Sequence, residues 1–156
     1  MTLPSLTLCA LAEPTIPGLD SLSPFCLKAH RTLHLAGLPY RVARADRPDA
    51  HRAHNPTGQV PVLLVGERAI PDSTAIVQEL MRLAPGTLDR GLDARGLAEA
   101  WLWEELADTA LNGFYVAARW ADDDNWPAVR DAYFSAMPAP VRAVVPALLR
   151  RRTLQS

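Results

Sequence analysis

The chain has 156 residues with 16 basic and 17 acidic side chains, and 49% of its residues are hydrophobic. This balance is typical of a globular protein and argues against a disordered chain, a collagen or a coiled coil. Because the formal net charge is only −1, binding of nucleic acid through a basic surface is not expected.

Strand and helix patterns alternate in the first half of the chain. Apolar runs and alternating residues predict strands, and apolar residues three to four positions apart predict helices. The predicted strands cover residues 6–11, 40–43, 60–65 and 69–70, and the predicted helices cover 24–36 and 73–83, with one more short helix within 46–55. This order is that of a thioredoxin-like fold, in which a parallel βαβ unit joins a β-hairpin and a closing helix.

The pattern becomes helical throughout after Ala84-Pro85-Gly86, where a Pro-Gly pair interrupts the chain. The predicted helices of this half cover residues 93–120, 128–137 and 141–154. Pro146 is expected at a bend in the last of them or at its true start. We therefore expect two domains, an α/β domain over residues 1–83 and an all-α domain over residues 84–156.

Cysteine content and the distribution of charge indicate the compartment. Two cysteines, Cys9 and Cys26, are too few for a disulfide framework or a zinc site, so no metal site is expected and a reducing compartment, the cytoplasm, is the simplest interpretation. The longest stretch without a charged side chain, residues 53–66, is shorter than the ~20 residues of a membrane-spanning helix. The first basic side chain is Lys28, so the N-terminus lacks the positive region of a signal peptide.

Ser23 and Pro24 mark the start of a helix, with serine as the N-cap and proline at the first helical position. The free N–H groups and the dipole at a helix N-terminus favour a thiolate, a carboxylate or a phosphate. Lowering the pKa of a thiol from ~8.5 by ~2 units would raise its ionised fraction at neutral pH from roughly 3% to about 75%. The same pattern also fits a helix cap that has no further role.

Two other features involve polar groups near strand and helix ends. Pro61 interrupts the strongest strand pattern, which fits either a cis Val60–Pro61 bond or an edge strand with a trans proline. Asp72 and Ser73 open a helix, either as an N-cap pair or as groups that bind the charged end of a small ligand.

Two motifs together resemble the N-terminal domain of glutathione transferases. They are Asn-Pro-Thr-Gly-Gln-Val-Pro-Val-Leu at 55–63 and Ile-Pro-Asp-Ser-Thr-Ala-Ile at 70–76. The segments 20–28 and 119–126 resemble, more narrowly, the metaxin-like and failed-axon-connections-like branch of that superfamily. The resemblance implies a thioredoxin-like domain, then a helical domain of the glutathione transferase type. This helical domain is short here, which fits either a truncated chain or a reduced member of the family that gains its missing surface from a partner.

The resemblance implies that the protein binds glutathione as a cosubstrate and activates its thiol for attack on a small electrophile. Ser23 is then the residue that stabilises the thiolate, with Cys26 one helical turn further on as in Ser-x-x-Cys variants of a redox site. Because the loop over 13–22 is longer than usual in the family, Ser21 is an alternative to Ser23. Redox or covalent work by Cys26 alone is a further possibility.

The remaining parts of glutathione are assigned to other residues by the same resemblance. Val60, through its backbone and with a cis Pro61, would pair with the cysteinyl part. Asp72 and Ser73 would hold the γ-glutamyl end, and Gln59 the glycyl end.

A second hypothesis is a non-catalytic adaptor that keeps the fold and uses its surfaces for binding partners. The likeness to the metaxin-like branch and the short helical part motivate it. An uncovered face with Trp101, Trp103, Tyr133 and Phe134 would favour association. Since relatives are commonly dimers, a homodimer is expected.

Overall fold

The computed structural model describes residues 3–45 and 50–155. These residues fall into two units, one of which contains the chain up to Asp93 apart from Thr15–Pro17, while the other contains Thr15–Pro17 and the chain from Ala94 onward. The division into domains at residues 83 and 84 stays a prediction.

Within the described part of the first unit, four strands form one sheet in the order β2-β1-β3-β4. The strands are β1 (Leu6–Ala10), β2 (Arg41–Arg44), β3 (Val62–Val65) and β4 (Arg68–Pro71), and the helices are α1 (Pro24–Leu35) and α2 (Ser73–Leu83). Strand β1 pairs in parallel with β2 and antiparallel with β3, and β3 pairs antiparallel with β4. The parallel pair joined by α1 and the hairpin closed by α2 confirm the predicted thioredoxin-like fold.

The short helix predicted within 46–55 falls partly on residues 46–49, which lie outside the described residues. Residues 50–54 form turns. The amides of His54 and Asn55 both donate to the carbonyl of His51, at 3.0 Å each.

The core of the first unit lies where α1 and α2 pack on the sheet. The helices contribute apolar residues four positions apart, such as Ala29 with Leu33 and Ile76 with Leu80, all of which are fully buried. Full burial of a leucine or isoleucine side chain stabilises the fold by about 1.5–3 kcal/mol. This packing holds α1 and α2 against the sheet and so positions the N-termini of both helices.

The long helical pattern of the second unit is confirmed, although it is not α-helical throughout. Helix α3 (Ala94–Leu106) continues through a π-helical segment (Ala107–Leu111), α4 (Asn112–Val116) and a second π-helical segment (Ala117–Ala121).

Two further helices follow, α5 (Trp126–Phe134) and α6 (Ala139–Thr153). Pro146 lies inside α6, so the expectation that it starts the helix is wrong. The helix begins earlier, with Pro140 in its first turn. Proline is tolerated there because the N–H groups of the first turn have no hydrogen-bond partner within the helix.

Trp120 is the centre of the aromatic packing in the second unit. Its ring centroid lies 5.6 Å from that of Trp126, 5.7 Å from Tyr133 and 6.5 Å from Phe134. Of the aromatic residues predicted to be uncovered, Trp103 is 64% exposed, whereas Phe134 is 4% exposed because it packs in this cluster.

No helix in the part of the chain that the structure describes combines the length and the apolar character needed to cross a membrane.

Candidate functional site

A cavity of about 570 Å³ lies in the first unit, where three segments distant in sequence meet. The segments are the start of α1, the loop that precedes β3, and the turn between β4 and α2. The lining residues are Leu11, Ser23, Phe25, Asn55, Thr57, Gly58, Gln59, Val60, Pro61, Pro71, Asp72 and Ser73. The cavity therefore gathers every predicted site residue except Cys26.

Ser23 begins α1 as the sequence predicts. Its backbone is extended (φ −84°, ψ 127°), Pro24 follows in the first turn, and its Oγ accepts a hydrogen bond from the Cys26 amide at 3.3 Å. This cap uses an acceptor lone pair of the Ser23 hydroxyl, which also forms a hydrogen bond with the Cys26 thiol. A hydroxyl donor and a helix N-terminus thus border the same cavity.

Ser21, the alternative to Ser23, has a different place. It is 2% exposed, and its Oγ accepts a hydrogen bond from the Ser23 amide at 3.2 Å. Ser21 is not among the described residues that line the cavity. The structure therefore places Ser23, and not Ser21, at the cavity surface.

Cys26 lies below this surface. Its side chain is fully buried, and it is not among the described lining residues. Burial raises the pKa of the Cys26 thiol, and hydrogen bonds with the Leu11 backbone and with the hydroxyls of Ser23 and Ser21 oppose this rise only in part. These are the properties of a core thiol, and a redox or covalent role for Cys26 stays a prediction.

The Val60–Pro61 peptide bond is cis, as the resemblance implies. Strand β3 begins after it, at Val62, whose register partners are Cys9 and Pro71. The strand predicted from residue 60 therefore starts two residues too early. The reason is that proline has no N–H to donate to the ladder.

The turn between β4 and α2 presents Asp72 and Ser73. Asp72 adopts φ 77°, a left-handed conformation that non-glycine residues seldom take. Its Oδ1 accepts hydrogen bonds from the amides of Thr74 (2.9 Å) and Ala75 (3.0 Å), which confirms the predicted N-cap. Ser73, 2% exposed, is the first residue of α2. A strained residue beside a cavity is typical of ligand sites.

A carboxylate that the sequence analysis missed braces this turn. Glu79 of α2 is 8% exposed and pairs with Arg68 of β4 at 2.5 Å and with Arg82 at 2.6 Å. The hydrogen bond from Arg82, together with Arg68, holds the pKa of Glu79 below its usual range. Strand β4 and helix α2 flank Asp72, and the ion pair between Arg68 and Glu79 joins them. This ion pair therefore stabilises the turn that carries Asp72. The spacing of Glu79 and Arg82 was the signal available in the sequence.

Several lining residues were also missed. Leu11 directly follows β1, and Phe25 lies in the first turn of α1, where side chains point back toward the helix N-terminus. Asn55 and Thr57 lie inside the motif at 55–63, but sequence reasoning gave them no role.

A larger cavity, of about 790 Å³, lies in the second unit between α5 and α6 and is bordered by Trp126, Arg130 and Arg142. It contains none of the predicted site residues. We place the candidate site in the smaller cavity because Ser23, Asp72, Ser73 and the loop around Pro61 line it.

Within the residues described, no group of three histidine, cysteine or acidic side chains is gathered as metal ligands.

The sequence model of the glutathione S-transferase N-terminal domain matches residues 24–125, which is more than half of the chain. The curated relatives include "Glutathione S-transferase DHAR3, chloroplastic" of Arabidopsis thaliana, 32% identical over 51% of this chain and 32% of that protein. "Failed axon connections" of Drosophila melanogaster is 38% identical over 50% of this chain and 18% of that protein. This second match supports the likeness to the failed-axon-connections-like branch. The chain spans only a third or less of the length of these two relatives.

Solved structures show the same fold. Glutathione transferase Omega 2S from Trametes versicolor superposes with a TM-score of 0.63 at 19% identity, covering 96% of this chain and 71% of that one. A glutathione transferase homologue from Sulfitobacter, solved with bound glutathione, has a TM-score of 0.58 at 17% identity over 98% of this chain and 66% of that one.

Proposed function

The chain belongs to the glutathione S-transferase family, and on this premise we propose that it binds glutathione in the 570 Å³ cavity and activates its thiol for attack on an electrophile. The observation that carries the proposal is the convergence of three separate segments on one cavity. Each segment brings a group that suits a different part of the tripeptide.

Ser23 is assigned to the sulfur. The glutathione thiol loses its proton to water, and the thiolate accepts a hydrogen bond from the Ser23 hydroxyl beside the N-terminus of α1. Hydrogen bonds to a charged group contribute about 1.5–3 kcal/mol, and the helix dipole adds to this at its first turn. The thiolate then forms a carbon–sulfur bond with the electrophile, whose leaving group departs with the electron pair.

Asp72 and Ser73 are assigned to the γ-glutamyl end. The capping hydrogen bonds to Asp72 both end on Oδ1, so we assign Oδ2 to the ligand's ammonium group. The ligand's carboxylate suits Ser73, because the N-terminus of α2 attracts an anion. The backbone of Val60 pairs with the cysteinyl part beside Pro61, and Gln59 serves the glycyl end.

Cys26 has no step in this proposal. Its fully buried thiol packs beneath the cap that Ser23 forms.

A calorimetric titration of glutathione tests the proposal. Wild-type protein should bind, and Ser73→Ala should bind at least several-fold more weakly because it loses a hydrogen bond to a charged group. Ser5→Ala is the matched control, since Ser5 is an exposed serine of the same unit that lies outside the cavity lining. No binding by the wild type at millimolar glutathione would contradict the proposal.

A non-catalytic adaptor is the second candidate function. The observation that favours it is the exposure of large apolar residues along α3 and α4, with Leu102 at 72%, Trp103 at 64% and Phe114 at 75%. Turnover of a general aryl-halide electrophile that is lost in Ser23→Ala would eliminate this candidate. A homodimer and a cytoplasmic location stay predictions under either function.

A further inference from the structure

The side chains of Asn55 and Thr57 close the loop that carries Gln59 to the cavity. The Nδ2 group of Asn55 donates to the Gln59 carbonyl at 3.0 Å. Its Oδ1 accepts from the Thr57 amide at 3.3 Å and from the Thr57 hydroxyl at 3.0 Å. The Thr57 Oγ1 in turn accepts from the Gln59 amide at 3.2 Å. Both backbone groups of Gln59, the residue before Val60, are therefore held by side chains.

The same loop is attached to the sheet through Asn55. The Gly58 amide donates to the Asn55 carbonyl at 2.8 Å, and the Asn55 amide donates to the His51 carbonyl at 3.0 Å. The buried ring of His51 lies with its Nε2 3.3 Å from the carbonyl of Ala10, the last residue of β1. A continuous chain of hydrogen bonds thus runs from the end of β1 to the residue before Val60.

We propose that Asn55 is a positioning residue that acts with Thr57 to set the backbone of Gln59 and Val60 in the cavity. This inference rests on the proposed function, because it concerns the binding of glutathione by that backbone. Asn55 does not act on the thiol of glutathione. That thiol is assigned to Ser23, which lies at another wall of the cavity. Losing Asn55 should therefore weaken the capture of glutathione and leave the activation of its sulfur intact.

The exposure of the loop makes this role separable from folding. The hydrogen bonds between Asn55, Thr57 and Gln59 are exposed, and an exposed neutral hydrogen bond adds little to global stability because water replaces it. A loop that is free to move nevertheless pays an ordering cost when the ligand binds, and this cost lowers affinity.

Four variants of the full chain test the proposal by glutathione titration and by a conjugation assay. Asn55→Ala should raise the glutathione Kd and KM about tenfold and leave kcat within about twofold. Asn55→Asp keeps the acceptor for Thr57 but sets a carboxylate oxygen against the Gln59 carbonyl, so it should bind as weakly as Asn55→Ala. Thr57→Val should weaken binding, and Thr57→Ser, which keeps the hydroxyl, should restore it.

The outcomes distinguish a failure of the proposed function from a failure of the inference about Asn55. A wild type that fails to bind glutathione overturns the proposed function and this inference with it. A wild type that binds, together with an Asn55→Ala variant that binds within about twofold of it, overturns the inference alone. If Asn55→Ala unfolds, the threonine pair decides, because equal affinities of Thr57→Ser and Thr57→Val would show that the hydroxyl does not position the loop.

Discussion

Replacing Ser23 by alanine removes a hydroxyl with two roles, the cap of α1 and the donor assigned to the glutathione thiolate. The cap accepts from the Cys26 amide at 3.3 Å, and losing such a cap costs about 1 kcal/mol of stability. A hydrogen bond to a thiolate is worth about 1.5–3 kcal/mol, which corresponds to roughly 1–2 pKa units at 1.36 kcal/mol per unit. Ser23→Ala should therefore raise the pKa of bound glutathione by roughly 1–2 units. At a pH below the pKa of glutathione bound to the wild type, the conjugation rate of the variant should be about tenfold to a hundredfold lower than that of the wild type.

The assay is the rate of aryl-halide conjugation against pH, read beside the ultraviolet absorbance of the bound thiolate. Ser23→Gly is the matched control, since glycine caps a helix within a few tenths of a kcal/mol of serine but has no hydroxyl. Both variants should show the same rise in pKa, whereas only Ser23→Ala should be clearly less stable. An unchanged pH profile in both variants would refute the assignment of Ser23 to the sulfur.

Three further predictions concern the first unit. His30, whose Nδ1 lies 3.0 Å from the Tyr40 hydroxyl, has a pKa that burial lowers. The imidazole of His30 therefore takes up a proton more readily in the unfolded chain than in the folded protein. The free energy of unfolding should be highest above about pH 6.5 and should fall at lower pH by at most about 1.4 kcal/mol per pH unit. In urea unfolding, the variant His34→Gln, which changes an exposed histidine, should keep this dependence on pH, and His30→Gln should lose it. A thiol-specific disulfide reagent should modify neither buried cysteine in the folded protein and both after unfolding, and rapid labelling of native Cys26 would contradict its core position. Leu33→Ala, at a fully buried site, should cost about 2–5 kcal/mol in urea unfolding, and a loss below about 1 kcal/mol would show that Leu33 is outside the core.

The order of elements in the first unit was predictable because its signals are local. Ser23 and Asp72 are N-caps that act on amides two or three residues away, and the apolar spacing of α1 and α2 shows which faces they bury. Glu79 and His30 show where local signals end. The ion pair between Arg68 and Glu79 joins β4 to α2, and His30 is buried against Tyr40, which lies outside its helix.

By itself, the sequence determined the starts of α1 and α2, the order of the elements along the first unit and the likeness of two motifs to one family, since each is written in consecutive residues. Only the tertiary structure decided that Ser23 borders the cavity while Ser21 and Cys26 lie beneath it. It also showed that Asn55 and Thr57 hold the backbone of Gln59. The physical reason is that exposure and hydrogen-bond partners depend on how segments far apart in the chain pack together, and the spacing of residues within one segment does not contain that information.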